Sequence, residues 1–92
     1  MTIQWIRLSD IEQHYEDQGP EVDKQISRIQ AWIRRTGLYE PLTVRLENKI
    51  FKIIDGNKRF FALRCLGHTH ARCDIWDCAV ETARLFREEA KP

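Results

Sequence analysis

Between Ile50 and Gly67 the chain changes its hydrophobic rhythm within two residues, and that change limits the folds open to it. Ile50-Phe51-Lys52-Ile53-Ile54 reads as a strand, and Asp55-Gly56 stops it. Asn57 to Leu66 then reads at once as a helix, with Gly67 as its stop signal. Phe60, Phe61, Ala62, Leu63, Cys65 and Leu66 make this helix apolar nearly all round, which predicts burial between layers. Its first turn is odd, because Lys58 and Arg59 sit where a helix carries about half a positive charge. Cations there are unfavourable by roughly 0.3–1 kcal/mol each. Two readings fit. An anion held by the free N–H groups of the turn supplies the counter-charge, or Asp55 neutralises one cation and solvent screens the other.

The remaining segments predict one α+β domain over residues 1–92, a small mixed sheet covered by helices. Ile3 to Leu8 alternates as a first strand. Ser9 stands three residues before Glu12, the spacing of a capping box, which predicts a short helix from Asp10 to about Asp17. Gln18-Gly19-Pro20 breaks it. A longer helix follows from about Val22 to Thr36, with Val22, Ile26, Ile29 and Ile33 on one face and Gly37 at its end. Leu42, Val44 and Leu46 alternate with Thr43 and Arg45 as a half-buried strand. The turn Glu47-Asn48-Lys49 pairs that strand antiparallel with Ile50–Ile54. Ala71, Cys73 and Ile75 mark a further strand, and Asp77 caps a last helix reaching about Glu89. Trp5, Trp32 and Trp76 carry large apolar area and are expected to anchor the core, with Trp32 at the edge of its helix stripe beside Tyr39.

Composition narrows the function classes. The 92 residues carry 15 basic and 14 acidic side chains, a net charge of +1, so any nucleic-acid surface must be local. No apolar run is long enough to span a membrane, and the N-terminus shows no signal-peptide pattern, so a cytoplasmic protein is expected. Three cysteines do not suggest a disulfide framework. Cys65, His68, His70 and Cys73 have zinc-ligand residue types. Cys65 lies inside an apolar helix and Cys73 on the apolar face of a strand, so both read as small packed hydrophobes and no metal site is expected. His14 falls on a polar helix face and needs no special role.

The segment Ile54-Asp55-Gly56-Asn57-Lys58-Arg59-Phe60-Phe61-Ala62 resembles the Gly-x-(His/Lys/Arg)-Arg-x-x-Ala segment of the ParB N-terminal domain and sulfiredoxin superfamily. Trp5 to Ile11 resembles the opening strand-to-helix stretch of that superfamily, and Glu40 to Arg45 the strand before the motif. In the superfamily the motif joins a strand to a helix and binds nucleotide phosphates. The resemblance therefore implies a phosphate or nucleotide site at Asp55, Gly56, Asn57, Lys58 and Arg59, with Arg45 on the preceding strand. Gly56 tolerates positive φ and also leaves room for a phosphate beside the backbone. Lys58 is a mobile point charge, whereas Arg59 can grip a phosphate with two parallel bonds. The family's second phosphate-contacting segment, Glu-Asn-x-Gln-Arg, corresponds here to Ala83-Arg84-Leu85-Phe86-Arg87, where only Arg87 matches.

Departures from the pattern bear on activity. Asn57 stands where sulfiredoxin has its catalytic cysteine, and an amide is no nucleophile, so sulfiredoxin chemistry is not expected. In many ParB proteins the matching residue is a carboxylate; Asn57 can hydrogen-bond a phosphate but supplies no negative charge. No catalytic residue is assigned. The resemblance implies a nucleoside tri- or diphosphate ligand, with magnesium as its companion, and a role in plasmid, phage or chromosome maintenance. DNA, a DNA-maintenance protein and a second copy of the chain are the implied partners. Two alternatives stand beside it: a metal-dependent nucleotidase, kinase or nuclease relying on Asp55, and a protein-interaction module working through Trp32 and Tyr39.

Overall fold

A computed structural model describes residues 3–13 and 19–76. His14 and the expected last helix from Asp77, with Arg87 on it, lie outside the described residues. Five strands form one mixed sheet in the order β1-β5-β3-β4-β2. They are β1 (Ile3–Arg7), β2 (Ile11–Glu12), β3 (Leu42–Glu47), β4 (Ile50–Asp55) and β5 (His70–Ile75). Among the described residues two α-helices, α1 (Pro20–Thr36) and α2 (Asn57–Cys65), pack against each other. β1 runs antiparallel to β5, and β5 runs parallel to β3. β3 and β4 form the expected antiparallel hairpin, and β2 joins β4 in parallel.

Local chemistry explains most of these elements. Pro20 opens α1, where its fixed φ and missing N–H carry no penalty. Glu21 and Asp23 fill the first turn of α1, and Arg34 and Arg35 fill its last, matching the helix dipole at both ends. Gly37 ends α1 at φ 71°, donating its N–H to the Ile33 carbonyl at 2.7 Å. At the β3–β4 turn both Asn48 (φ 51°) and Lys49 (φ 68°) are left-handed, the requirement of a two-residue hairpin loop whose twist matches its strands. Gly67 (φ 85°) follows α2, where His68 N–H closes back onto the Leu63 carbonyl.

The core is one cluster between the sheet and the helices. Val44, Leu42, Ala71 and Cys73 are wholly buried from the sheet side, and Ala62 and Leu63 from α2. Ile33 buries the stripe of α1, with Ile26 and Ile29 partly buried beside it, as the periodicity predicts.

Three expectations are corrected. The helix from Asp10 to Asp17 is not formed at its start: a 3-10 turn covers Leu8–Asp10, and Ile11–Glu12 then becomes β2. Ile11 is buried beside β4, opposite Phe51, and Glu12 pairs with Lys52 at 2.8 Å. Sheet pairing and burial of Ile11 outweigh the weak local preference of a capping box. Trp5 is no core anchor, since it points from an edge strand and is 64% exposed; Trp32 is likewise 50% exposed, under the Arg35 guanidinium. Cys65, expected to pack, is exposed, because α2 buries one face and not its whole circumference.

Candidate functional site

The turn between β4 and α2 is where the sequence concentrates its oddities, and the backbone there is sharply constrained. Gly56 adopts φ 105°, a region that L side chains rarely enter. A Cβ at this position would also come within 2.8 Å of Leu42 Cδ2 and 3.4 Å of the Leu42 Cα. Glycine is thus demanded twice, by the turn and by the close approach of β3. α2 begins immediately, with Phe60 N–H donating to the Gly56 carbonyl at 2.9 Å as its first helical bond. The N–H groups of Asn57, Lys58 and Arg59 precede that bond and have no acceptor inside the helix. No side chain caps them.

Arg59 is held by its own chain. Its Nη1 donates to the carbonyls of Glu40 and Pro41, both at 2.9 Å, and its Nη2 meets Asp55 Oδ2 at 3.4 Å. Both hydrogens of Nη1 are therefore engaged. The guanidinium ties the loop before β3 to the first turn of α2, and its side chain is 20% exposed. This geometry makes Arg59 a latch for the turn, with Nη1 committed to the two carbonyls. Asp55, i−4 from Arg59, answers that cation. Lys58 is half-buried and makes no ion pair within the described residues.

Asn57 is the feature the sequence did not flag in this form. It is only 5% exposed, and its Oδ1 is buried with no hydrogen-bond partner. A buried acceptor left unpaired costs about 1–3 kcal/mol. No pattern of spacing announces such an atom; it follows from the packing of α2 against the sheet. Asp55, Gly56, Asn57, Lys58 and Arg59 are brought together in the turn by contiguity and geometry. Arg45 is not brought to them: its guanidinium pairs with Glu47 on the same strand, and its register partner is Lys52 in mid-hairpin. Arg87 lies outside the described residues.

A metal cage is not assembled at the turn, where Asp55 is the carboxylate present and Arg59 already engages it. Among the described residues, no group of three or more His, Cys, Asp or Glu side chains converges to hold a metal ion. Cys65 is exposed on α2, while Cys73 is buried in β5, where burial pushes its thiol up from 9.0 to about 11. Such a thiol stays protonated and is a poor metal ligand.

Solved structures share this architecture. Sulfiredoxin from Arabidopsis thaliana matches with a TM-score of 0.73 at 23% identity, covering 94% of this chain and 97% of that one. The C-terminally truncated chromosome-partitioning protein ParB from Caulobacter crescentus, complexed with CTP-gamma-S, matches with a TM-score of 0.80 at 14% identity. There the match covers 98% of this chain and 53% of the ParB chain. A free serine kinase in complex with AMP matches with a TM-score of 0.71 at 20% identity, over 82% of this chain and 31% of the kinase. The chain thus spans about half of that ParB and a third of the kinase, and these likenesses show the fold alone. No curated protein matches in sequence. The family model of the ParB N-terminal domain matches residues 1–87, and with the mixed sheet and the glycine-led turn this places the chain in the ParB N-terminal domain family.

Proposed function

We propose that this domain binds the phosphates of a nucleotide at the first turn of α2. One observation carries the reading: Asn57 is nine-tenths buried with an unpartnered Oδ1, in the same turn as three N–H groups that have no helical acceptor. The N–H groups suit phosphate oxygens, and the helix dipole favours an anion there. The side-chain amide of Asn57 stands in the same turn and can hydrogen-bond a phosphate. Lys58 supplies the mobile charge, and Arg59 holds the turn open through Glu40, Pro41 and Asp55. CTP-gamma-S in the ParB structure and AMP and ADP in the serine kinase structures support a nucleotide as the ligand class.

Binding, rather than turnover, is the function that these residues support, because the carboxylate at the turn is committed to Arg59. Among the described residues no cluster of three or more ligating side chains would hold magnesium by protein alone, so in this reading the ion comes with the nucleotide's phosphates. A role in DNA maintenance rests on family membership and on the ParB neighbours, one of which is complexed to the centromeric parS site. No helix among the described residues is long and apolar enough to cross a membrane.

The test is thermal denaturation with CTP, ATP, ADP and inorganic pyrophosphate, each with and without magnesium. A ligand at 100 times its Kd stabilises by about 2.7 kcal/mol, an upward shift of roughly 10–20 °C for a domain of this size. Asn57→Ala removes the unpaired acceptor, so it should hold or raise the melting temperature of the free protein and lose most of the ligand shift. No shift with any of the four compounds would sink the nucleotide reading.

A further inference from the structure

A second opening lies beside the later turns of α2, lined from the helix by Phe60 and Arg64, one and two turns beyond Gly56. It has a volume of about 540 Å³, within the range of small-molecule sites. Leu8, Ile11 and Phe60 form its floor, all three of them buried core residues that show one side to the cleft. Arg7, Arg64 and His68 stand round it, and no acidic side chain among the described residues lines it. Ser9 and Thr69 add hydroxyls at the rim. The two walls are pinned by Leu8 N–H donating to the Thr69 carbonyl at 2.9 Å, so the cleft is part of the frame and not a gap between loose loops.

The charges of this cleft are not answered. The ion pairs of the described residues join Arg45 to Glu47, Lys52 to Glu12 and Arg59 to Asp55, leaving Arg7 and Arg64 without a carboxylate among those residues. The nearest acids along the chain do not help. Glu12 is taken by Lys52, and Asp10 does not line the opening. A helix C-terminus favours a cation, which accounts for Arg64 in the last turn of α2. It does not account for Arg7, which comes from the end of β1. Arg64 is also pre-positioned, with its guanidinium 5.0 Å from the Phe61 ring centre and 5.5 Å from that of Phe60. An apolar floor with two guanidinium groups at its edge, neither paired with a carboxylate among the described residues, fits one ligand chemistry: an anion with a flat apolar body.

We propose that the cleft between the Leu8–Asp10 turn and the C-terminal half of α2 binds a small organic anion, a carboxylate or phosphate monoester carrying a ring. The apolar part rests on Leu8, Ile11 and Phe60, while Arg7 and Arg64 take the charged group. The site is separate from the phosphate turn and does not rest on it.

Amide chemical shifts of the labelled domain test this directly, with benzoate, phenyl phosphate, neutral benzyl alcohol and inorganic phosphate as probes. Benzoate or phenyl phosphate should give saturable shifts centred on Leu8, Ser9, Arg64 and Thr69; which of them binds tighter separates carboxylate from phosphate recognition. Benzyl alcohol and inorganic phosphate, each lacking half of the chemistry, should bind at least about tenfold more weakly. Arg7→Gln and Arg64→Gln should each weaken the preferred probe about tenfold. Arg7 is exposed, so its variant should keep the wild-type melting temperature and make the comparison clean. Lys58→Gln should leave cleft binding unchanged, and Arg7→Gln should leave pyrophosphate binding at α2 unchanged. Absence of saturable shifts at the cleft, or full affinity in a folded Arg7→Gln variant, would overturn the proposal without touching the nucleotide reading.

Discussion

The two ends of α2 carry cations under opposite physical conditions. At the N-terminal end, Lys58 and Arg59 stand against the positive pole of the dipole, beside a buried amide with no partner. At the C-terminal end, Arg64 stands with the negative pole, over two aromatic rings. The glycines differ as well. Gly56 is squeezed against Leu42, whereas a side chain at Gly67 would meet open space. One end is built tightly and leaves an electrostatic debt in the free protein; the other is relaxed and needs nothing further for the fold. At the N-terminal turn backbone and burial alone favour the proposed ligand, whereas at the C-terminal side a cleft and an extra cation are needed beside the helix end.

Glycine replacement should separate the ends by the largest margin. Gly56→Ala forces a side chain into φ 105° and into contact with Leu42. Left-handed strain and overpacking together cost about 3 kcal/mol. Gly67→Ala suffers only the backbone term, about 1 kcal/mol, since nothing lies within 4 Å. Denaturant midpoints of the two variants should differ accordingly. Equal losses would mean that the turn at Gly56 is no tighter than that at Gly67.

The core shared by both ends has its own signature, which fixes a baseline for these comparisons. Burial raises the Cys73 thiol from 9.0 to about 11. The unfolded chain therefore releases this proton first as pH rises. The contribution of Cys73 to stability is complete below pH 9 and is lost as pH climbs toward 11. The slope reaches up to about 1.4 kcal/mol per pH unit in that window. Cys73→Ser should flatten it, and Cys65, exposed at the end of α2, should react with a thiol reagent long before Cys73 does. A wild-type stability that is level from pH 9 to 11 would contradict the burial of Cys73.

Arg59→Gln comes next in size. The variant loses the bonds to Glu40, Pro41 and Asp55. Removing a cation from the helix N-terminus returns roughly 0.3–1 kcal/mol, less than charge-assisted bonds to two carbonyls supply. The net expectation is a loss of about 1–2 kcal/mol, with nucleotide affinity falling because the turn relaxes. A variant as stable as wild type would show that the loop before β3 does not depend on this latch.

Sequence made the frame readable where short-range rules dominate. The β4–turn–α2 passage, the hairpin at Asn48-Lys49 and the stripe of α1 all follow from periodicity and from residues that tolerate particular dihedrals. Family resemblance covers most of the chain in the family's order, and the family match over residues 1–87 bears it out. What stayed hidden depends on distant contacts. Ser9 and Glu12 look like a helix start, yet Ile11 finds its burial by pairing with Phe51, forty residues on in sequence. Trp5 looks like a core residue by size, but β1 is a sheet edge and leaves that face open. Arg59 belongs to the motif, but the two carbonyls that its Nη1 meets belong to a loop eighteen and nineteen residues away, which no local pattern announces. The orphan Oδ1 of Asn57 is likewise a property of packing, not of residue type.

The smallest effect is the most diagnostic, because it changes sign between the ends of α2. Lys58→Gln removes an unfavourable cation–dipole contact and breaks no ion pair within the described residues. The free protein should hold its stability or gain up to about 0.5 kcal/mol. Arg64→Gln removes a favourable cation–dipole contact and the guanidinium over Phe60 and Phe61, and should lose about 0.5–1 kcal/mol. Both shifts should shrink as salt is raised, since both side chains reach solvent. With saturating nucleotide the sign at Lys58 should reverse, because the same charge then faces phosphate rather than bare N–H groups. Chemical denaturation of the two variants, at low and high salt and with and without CTP or ATP, reads all of this. A Lys58→Gln variant that is destabilised in the free state, or whose stability is indifferent to nucleotide, would remove Lys58 from the site.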